Sequence, residues 1–315
     1  MDPTPAIKVS ETLHSDRPSV KCWSVTLYEE PLKPGEKAEG VVHINGVLVD
    51  RYRLTRELGR GRTATVYLAH DMKHGRDVAV KVMHRSAVAT LGADRFLREI
   101  AIVAQLHHPN IVALYDSGAV GGTLYYVMPY EAGLSLRARL ARDGALPHEE
   151  VTLILRDVCD ALAHAHAHGI VHRDIKPANV LLAGRHALVS DFGIAKALSN
   201  SGPGAPILTT GAALGTAAYM APEQIAGDEE IDHRADIYAV GALGYELLTG
   251  RPPFTDGTRQ AILAAHLRDA PPPLAARCPA APVLLVDLVM RSLEKQPADR
   301  WQTADEMVQR LAAIR

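Results

Sequence analysis

Cysteine is scarce: three in 315 residues, at positions 22, 159 and 278. An odd number at wide, irregular spacing excludes a disulfide framework and a CxxC metal knuckle, and suits a reducing, cytoplasmic compartment. No uncharged apolar run approaches the roughly 20 residues needed to span a bilayer. The opening MDPTPAIKVSETLHSD carries acidic residues and no apolar centre, so it does not read as a secretory signal. Neither charge sign dominates, since 34 basic against 36 acidic residues leave −2, and no bulk basicity points to nucleic acid. Aromatics are few (5%), and neither an internal repeat nor a low-complexity tract occurs. What remains, 47% hydrophobic and 22% charged residues, is the composition of an ordinary globular chain of about two domains.

Residues 1–51 differ from the rest, and their first fifty hold five prolines and eight acidic against five basic residues. They read as a mobile extension, with one half-buried alternation at Trp23–Leu27 that would also suit a strand docked on the neighbouring domain. From Tyr52 the pattern becomes strand-like. Tyr52–Leu58, Thr65–His70 and Asp77–Met83 are β-prone runs divided by turn residues, and Ile111–Asp116 and Thr123–Met128 follow. One helix interrupts them, with Phe96, Ile100, Val103 and Leu106 at helical spacing after Asp94. Beyond Gly133 helices dominate. Glu149 and Glu150 open one with the stripe Val151, Ile154, Val158, Ala161, Ala165; Asp236–Thr249 reads as buried all round; Leu284–Leu293 and Thr303–Ile314 complete the set. The expectation is a small β-rich lobe over 52–131 and a larger helical one over 132–315.

Chemistry concentrates in a few stretches. Leu58-Gly59-Arg60-Gly61-Arg62-Thr63-Ala64-Thr65-Val66 allows close backbone approach to a phosphate, although alone it reads equally as a hairpin turn. A strand rather than a helix follows it, which argues against a dinucleotide-binding turn. Lys81 ends the apolar segment Val78-Ala79-Val80, where a charge requires an opposite partner, and Glu99 is the candidate. Then come His172-Arg173-Asp174-Ile175-Lys176-Pro177-Ala178-Asn179, Asp191-Phe192-Gly193 twelve residues past Asn179, and Ala221-Pro222-Glu223. Each triplet is weak alone; the order and spacing together are not a chance product.

This set resembles the protein kinases, specifically the bacterial eukaryotic-like Ser/Thr protein kinases, over about Tyr52 to Arg315. The resemblance implies an α+β, two-lobed kinase fold and transfer of the ATP γ-phosphate to Ser/Thr hydroxyls of proteins. By the same resemblance the 58–66 loop would cover the phosphates, and Lys81, paired with Glu99, would hold them. Asn179 and Asp191 would bind Mg²⁺ (or Mn²⁺), and Asp174 would accept the substrate proton. Lys176, two residues on, marks the Ser/Thr class, and Thr216 matches the threonine that contacts the catalytic aspartate. Leu58, Val66, Ala79 and Leu181 would enclose adenine, with Met128 as gatekeeper and Pro129-Tyr130-Glu131 as hinge. Proline at 129 removes only an N–H that the nucleotide does not need. Ala64 stands where the family has a third glycine, which implies tuning rather than loss.

Regulation follows from Arg173, whose charge in such kinases is compensated by a phosphorylated activation loop; Thr209 and Thr210 are the expected autophosphorylation sites, with Lys196 as a second partner. Glu223 and Arg300 match an anchoring ion pair, Asp236 a brace for the catalytic loop, and Val103, Leu114, His172 and Phe192 a stacked spine. The resemblance also brings protein substrates in a signalling role and homodimerisation through the small lobe. His164, His166 and His168 with His172 offer i,i+4 pairs that suit zinc, but no acidic or Cys ligand completes a site, so they read as exposed helix histidines. Two other classes compete with this reading. An ATP-binding pseudokinase scaffold would show decay at Lys81, Asp174 or Asp191, and a small-molecule phosphotransferase would lack Ala221-Pro222-Glu223.

Overall fold

Alternation of side chains and the turn residues between them build the first part of the fold. The computed structural model describes residues 10–11, 23–24, 51–61, 63–84, 93–192 and 217–314. Arg62, Lys196, Thr209, Thr210 and Thr216, all singled out above, lie outside them. The chain divides into two compact units, Met1–Ala93 with Asp116–Tyr130, and Asp94–Tyr115 with Glu131–Arg315.

In the first unit, β1 (Ser10–Glu11) and β2 (Trp23–Ser24) form a short antiparallel ladder; the rest of the stretch Trp23–Leu27 lies outside the described residues. The larger sheet has five antiparallel strands, β3 (Tyr52–Arg60), β4 (Ala64–Asp71), β5 (Arg76–Met83), β6 (Asp116–Val120) and β7 (Thr123–Pro129), in the order β3-β4-β5-β7-β6. The β4–β5 turn is organised by Asp71, whose carboxylate accepts the N–H groups of Lys73 and His74 and bonds the His74 ring at 2.8 Å. Gly75 closes it at φ +63°, where a side chain would be strained. One sheet face buries Tyr67, Ala69, Val78, Val80, Val82 and Val127 together.

The second unit is mainly helical: α1 (Ala93–Val103), α2 (Leu136–Asp143), α3 (His148–Ala167), α4 (Pro222–Ala226), α5 (Arg234–Thr249), α6 (Arg259–Arg268), α7 (Leu274–Arg277), α8 (Val283–Ser292) and α9 (Ala304–Ala312). It also holds three short strands, β8 (Leu134–Ser135), β9 (Val180–Ala183) and β10 (His186–Val189). Helix α5 is buried from Ala235 to Leu248, as its apolar circumference dictates. Gly241 and Gly244 let α8 approach it closely, since a Cβ there would stand 2.7 Å from Ser292 Cβ and 2.8 Å from Val289 Cγ2. Helix α3 packs between α5 and α9.

One expectation shifts. The strand read at Ile111–Asp116 begins only at Asp116, because the preceding backbone is spent elsewhere: Val112 N–H bonds Val189 O and Val189 N–H bonds Asn110 O. Segment Asp94–Tyr115 groups with the helical unit, with Leu106 and Ile111 buried in that unit's core. Among the described residues no helix is long and apolar enough to cross a membrane.

Candidate active site

The sheet register sorts the first unit's candidates onto one face. Directly paired residues share a face, and i,i+2 neighbours do too. Gly59 opposes Val66, Val66 opposes Lys81, and Ala79 opposes Met128, so these lie together on the face opposite the Tyr67–Val80 core. Lys81 is half-buried, with Nζ 5.7 Å from the Tyr126 ring centroid. Pro129, at the end of β7, opposes Val78. Between β3 and β4 the chain reverses through a tight turn closed by Gly61 N–H to Ala64 O at 2.9 Å. Arg60 is paired with Glu57 at 2.9 Å, and the buried Thr65 hydroxyl bonds the His84 ring. The register of β3 with β4 shifts between Leu54 and Arg56 and again between Glu57 and Gly59.

In the second unit the loop 172–179 is held from several sides. Buried Asp236, at the start of α5, accepts His172 N–H at 2.8 Å and Arg173 N–H at 2.7 Å. Arg173 sits at φ +67°, a left-handed conformation costly for a residue with a Cβ. Its neighbours hold it there: Asp236 takes its N–H, and Gln224 Nε2 donates to its carbonyl at 3.0 Å. The His172 ring lies between Ser190 O, 2.9 Å from Nε2, and the Asp174 N–H, 3.2 Å from Nδ1. A carbonyl can only accept and an N–H only donate, so the ring is assigned as the neutral Nε2–H tautomer. Phe192 meets it edge-on at 4.6 Å, and Val103 packs against the same core.

This clamp presents Asp174. Lys176 Nζ donates to both carboxylate oxygens, at 2.9 and 2.6 Å, and Asn179 Nδ2 reaches Asp174 O at 2.8 Å and Oδ2 at 3.1 Å. The Asp174 carboxylate stays 24% exposed, so a reactant can reach it. With Nδ2 committed to Asp174, the remaining polar atom of the buried Asn179 side chain is an oxygen. Asp191, partly exposed at φ +67°, supplies a carboxylate. Hard oxygen donors of this kind fit Mg²⁺ or Mn²⁺. Leu181 lies on β9, Glu131 just before β8, and Glu99, half-buried, on α1.

Two residues here escaped the sequence reading. Gln224 accepts the Ala221 N–H at 3.0 Å as well as holding Arg173; its place three residues after the start of Ala221-Pro222-Glu223, where a side chain caps a helix, was the available signal. His166 is not an exposed helix histidine: its side chain is 10% exposed and Nε2 lies 2.9 Å from Asp236 Oδ2. It shares the inward stripe of α3 with Ala165 and Leu162, and that position was the hint. His168 is exposed and His164 half-buried, their rings tilted against each other with centroids 4.6 Å apart.

Burial by itself would raise the Asp236 pKa. The His166 hydrogen bond, the His166 ring and the Arg173 N–H outweigh it and hold the carboxyl below its ordinary value. A depressed folded-state pKa stabilises above the unfolded value of about 3.9 and is lost as pH falls through the folded value. Chemical denaturation between about pH 7 and pH 3 should therefore show wild type losing stability below roughly pH 4. Asp236→Asn should be weaker at neutral pH and fall less steeply on acidification. An unchanged acid limb in the variant would remove Asp236 from this role.

The family model for the protein kinase domain matches residues 52–311. The serine/threonine-protein kinase PknB of Mycobacterium leprae is 42% identical over 270 residues, 82% of this chain and 42% of that protein. PknB of Mycolicibacterium smegmatis is 42% identical with the same coverage. A probable serine/threonine-protein kinase of Bifidobacterium longum is 36% identical over 273 residues, 84% of this chain and 35% of that protein. The chain thus spans well under half the length of these curated relatives. It belongs to the protein kinase family, with the two-lobed α+β fold.

Proposed function

We propose that the chain is an active Ser/Thr protein kinase, transferring the γ-phosphate of ATP to Ser and Thr hydroxyls of proteins and phosphorylating its own activation loop. The observation that carries this reading is Asp174, gripped by Lys176 and Asn179 on a loop whose strained Arg173 is held by Asp236 and Gln224. Asp174 orients the acceptor hydroxyl and takes its proton, and Lys176 meets the negative charge of the transferred group. In the first unit Gly59, Gly61 and Lys81 serve the phosphates, while Leu58, Val66, Ala79, Met128 and Pro129 serve adenine and its hinge. From the second unit come Glu99, Glu131, Leu181, Asn179 and Asp191. A divalent metal held by Asn179 and Asp191 supplies neutralisation of phosphate charge. The peptide lies on the segment leading into Ala221-Pro222-Glu223. Residues 52–131 and 132–315 act as the two lobes, in the cytoplasm, and pairing of copies occurs through the small lobe.

Incubation of purified protein with ATP and Mg²⁺ (separately Mn²⁺), followed by mass spectrometry, tests this. Phosphate at Thr209 or Thr210 in wild type, absent in Asp191→Asn, is the expected result. ATP binding without transfer, even to an added Ser/Thr protein, would instead make the chain a nucleotide-binding scaffold.

A further inference from the structure

Histidines gather where the end of α3 meets the loop after α1. His164, on the last turn of α3, stands between two other imidazoles. The His108 ring centroid lies 5.0 Å from it and the His168 centroid 4.6 Å, tilted by 30° and 41°. His107, beside His108, and Asp160, one turn back on α3, also face His164. The two outer rings are tied to backbone. His168 Nδ1 donates to the His164 carbonyl at 2.8 Å. His108 Nδ1 accepts the Asn110 N–H at 3.2 Å, so that ring is assigned as the Nε2–H tautomer, with Nε2 3.6 Å from Asp160 Oδ2. Asn110 is buried and grips β10: its Nδ2 donates to Ala187 O at 3.0 Å, and its carbonyl accepts the Val189 N–H at 2.8 Å. Val112 N–H bonds Val189 O in return, at 2.9 Å. Val189 stands two residues before Asp191. A stack at the surface is thus joined, through His108, to the strand that leads to a catalytic carboxylate.

Neutral imidazoles pack well at these distances, whereas imidazolium rings repel one another. A second proton on His108 would occupy Nδ1 and displace the Asn110 N–H. For His164, partial burial and then the His108, His168 and His107 rings hold the pKa below its ordinary value, with Asp160, 53% exposed, working against them. A histidine whose pKa is lowered by folding costs stability as pH falls below the unfolded value of about 6.5. We propose that the His108–His164–His168 stack is a proton-sensitive latch: with neutral rings it holds the 107–112 loop on α3, and on acidification the rings part, Asn110 loosens from β10 and phosphoryl transfer falls. The effect on transfer rests on the kinase reading; the loosening does not.

Hydrogen exchange at about pH 7.5 and about pH 5.5, corrected for the intrinsic pH dependence of exchange, tests the latch. His164→Phe, compared with wild type, keeps an aromatic ring that takes no proton. In wild type the Asn110, Val112 and Val189 amides should lose about tenfold in protection at the lower pH, the equivalent of one unit of lowered basicity. In His164→Phe they should lose none, and α5 should be unchanged in both proteins. The ratio of wild-type to His164→Phe activity on a Ser/Thr protein should fall over the same interval. His164→Gln carries the same expectation if the phenylalanine variant does not fold. Equal loss in wild type and variant, no loss in wild type, or loss spread evenly through α5 overturns the latch. The expected protection change in a protein that phosphorylates nothing keeps the latch and sinks the kinase reading.

Discussion

Asp174→Asn is expected to lower kcat for phosphoryl transfer by roughly 10²–10⁴, the range a positioned acid–base group supplies, with the melting temperature nearly unchanged. Both halves of that expectation come from the geometry. The carboxylate is 24% exposed and its main partner, Lys176, is local, so asparagine of nearly the same shape disturbs little packing. The backbone around it is fixed by Asp236, Gln224 and Ser190, none of which bonds the Asp174 side chain. What asparagine cannot do is accept a proton from the incoming hydroxyl or balance the Lys176 ammonium. Steady-state kinetics with a Ser/Thr peptide, beside thermal melting, separate the two effects. A variant that keeps its kcat would show that Asp174 only orients, and one that melts early would show that the loop depends on its charge.

Arg300→Ala should produce the largest loss of stability. The Arg300 guanidinium is fully buried and all five of its donors are used. Nε goes to Glu294 O, Nη1 to Glu223 Oε1 and Arg234 O, and Nη2 to Glu223 Oε2 and Lys295 O. The guanidinium also lies 5.0 Å from the Tyr238 ring centroid. Removing it strands a buried carboxylate and three carbonyls, and breaking a buried pair in this way costs about 3–5 kcal/mol. For a unit of this size that lowers the melting temperature by roughly 6–20 °C. Arg300→Lys keeps the charge but offers three donors where five acceptors wait, so it should recover only part of the loss. Glu223→Gln/Arg300→Met should be less damaging than Arg300→Ala, because no bare charge remains. Activity should fall with stability in this series, since Glu223 opens the helix from which Gln224 holds Arg173. If Arg300→Ala melts like wild type, the pair is not an anchor.

Much of the site was legible because its chemistry is written in short contiguous runs. Asp174, Lys176 and Asn179 fall within six residues, and a loop that close in sequence meets in space whatever surrounds it. Glu223 with Arg300 and Asp236 with the 172–173 backbone were readable only through the family resemblance, since their partners lie far along the chain. Gln224 and His166 were missed because they serve through a backbone carbonyl and a buried carboxylate, neither of which leaves a pattern in side-chain type. The fold showed the same division. The edges of α3, α8 and α9 follow from periodicity and the Thr303 cap, whose Oγ1 accepts the Glu306 N–H at 3.1 Å. The course of 111–115 does not, because its continuous apolar run suits a strand while its backbone bonds are drawn to Val189. Pairing partners lie outside the local signal.

The central claim is that this geometry performs phosphoryl transfer to hydroxyl groups. It is tested most directly by incubating the protein with γ-labelled ATP, Mg²⁺ and a generic Ser/Thr protein, then hydrolysing the product for phosphoamino-acid analysis. Wild type should yield labelled phosphoserine and phosphothreonine, and Asp174→Asn neither. Label on tyrosine alone, or equal label with both proteins, would contradict it.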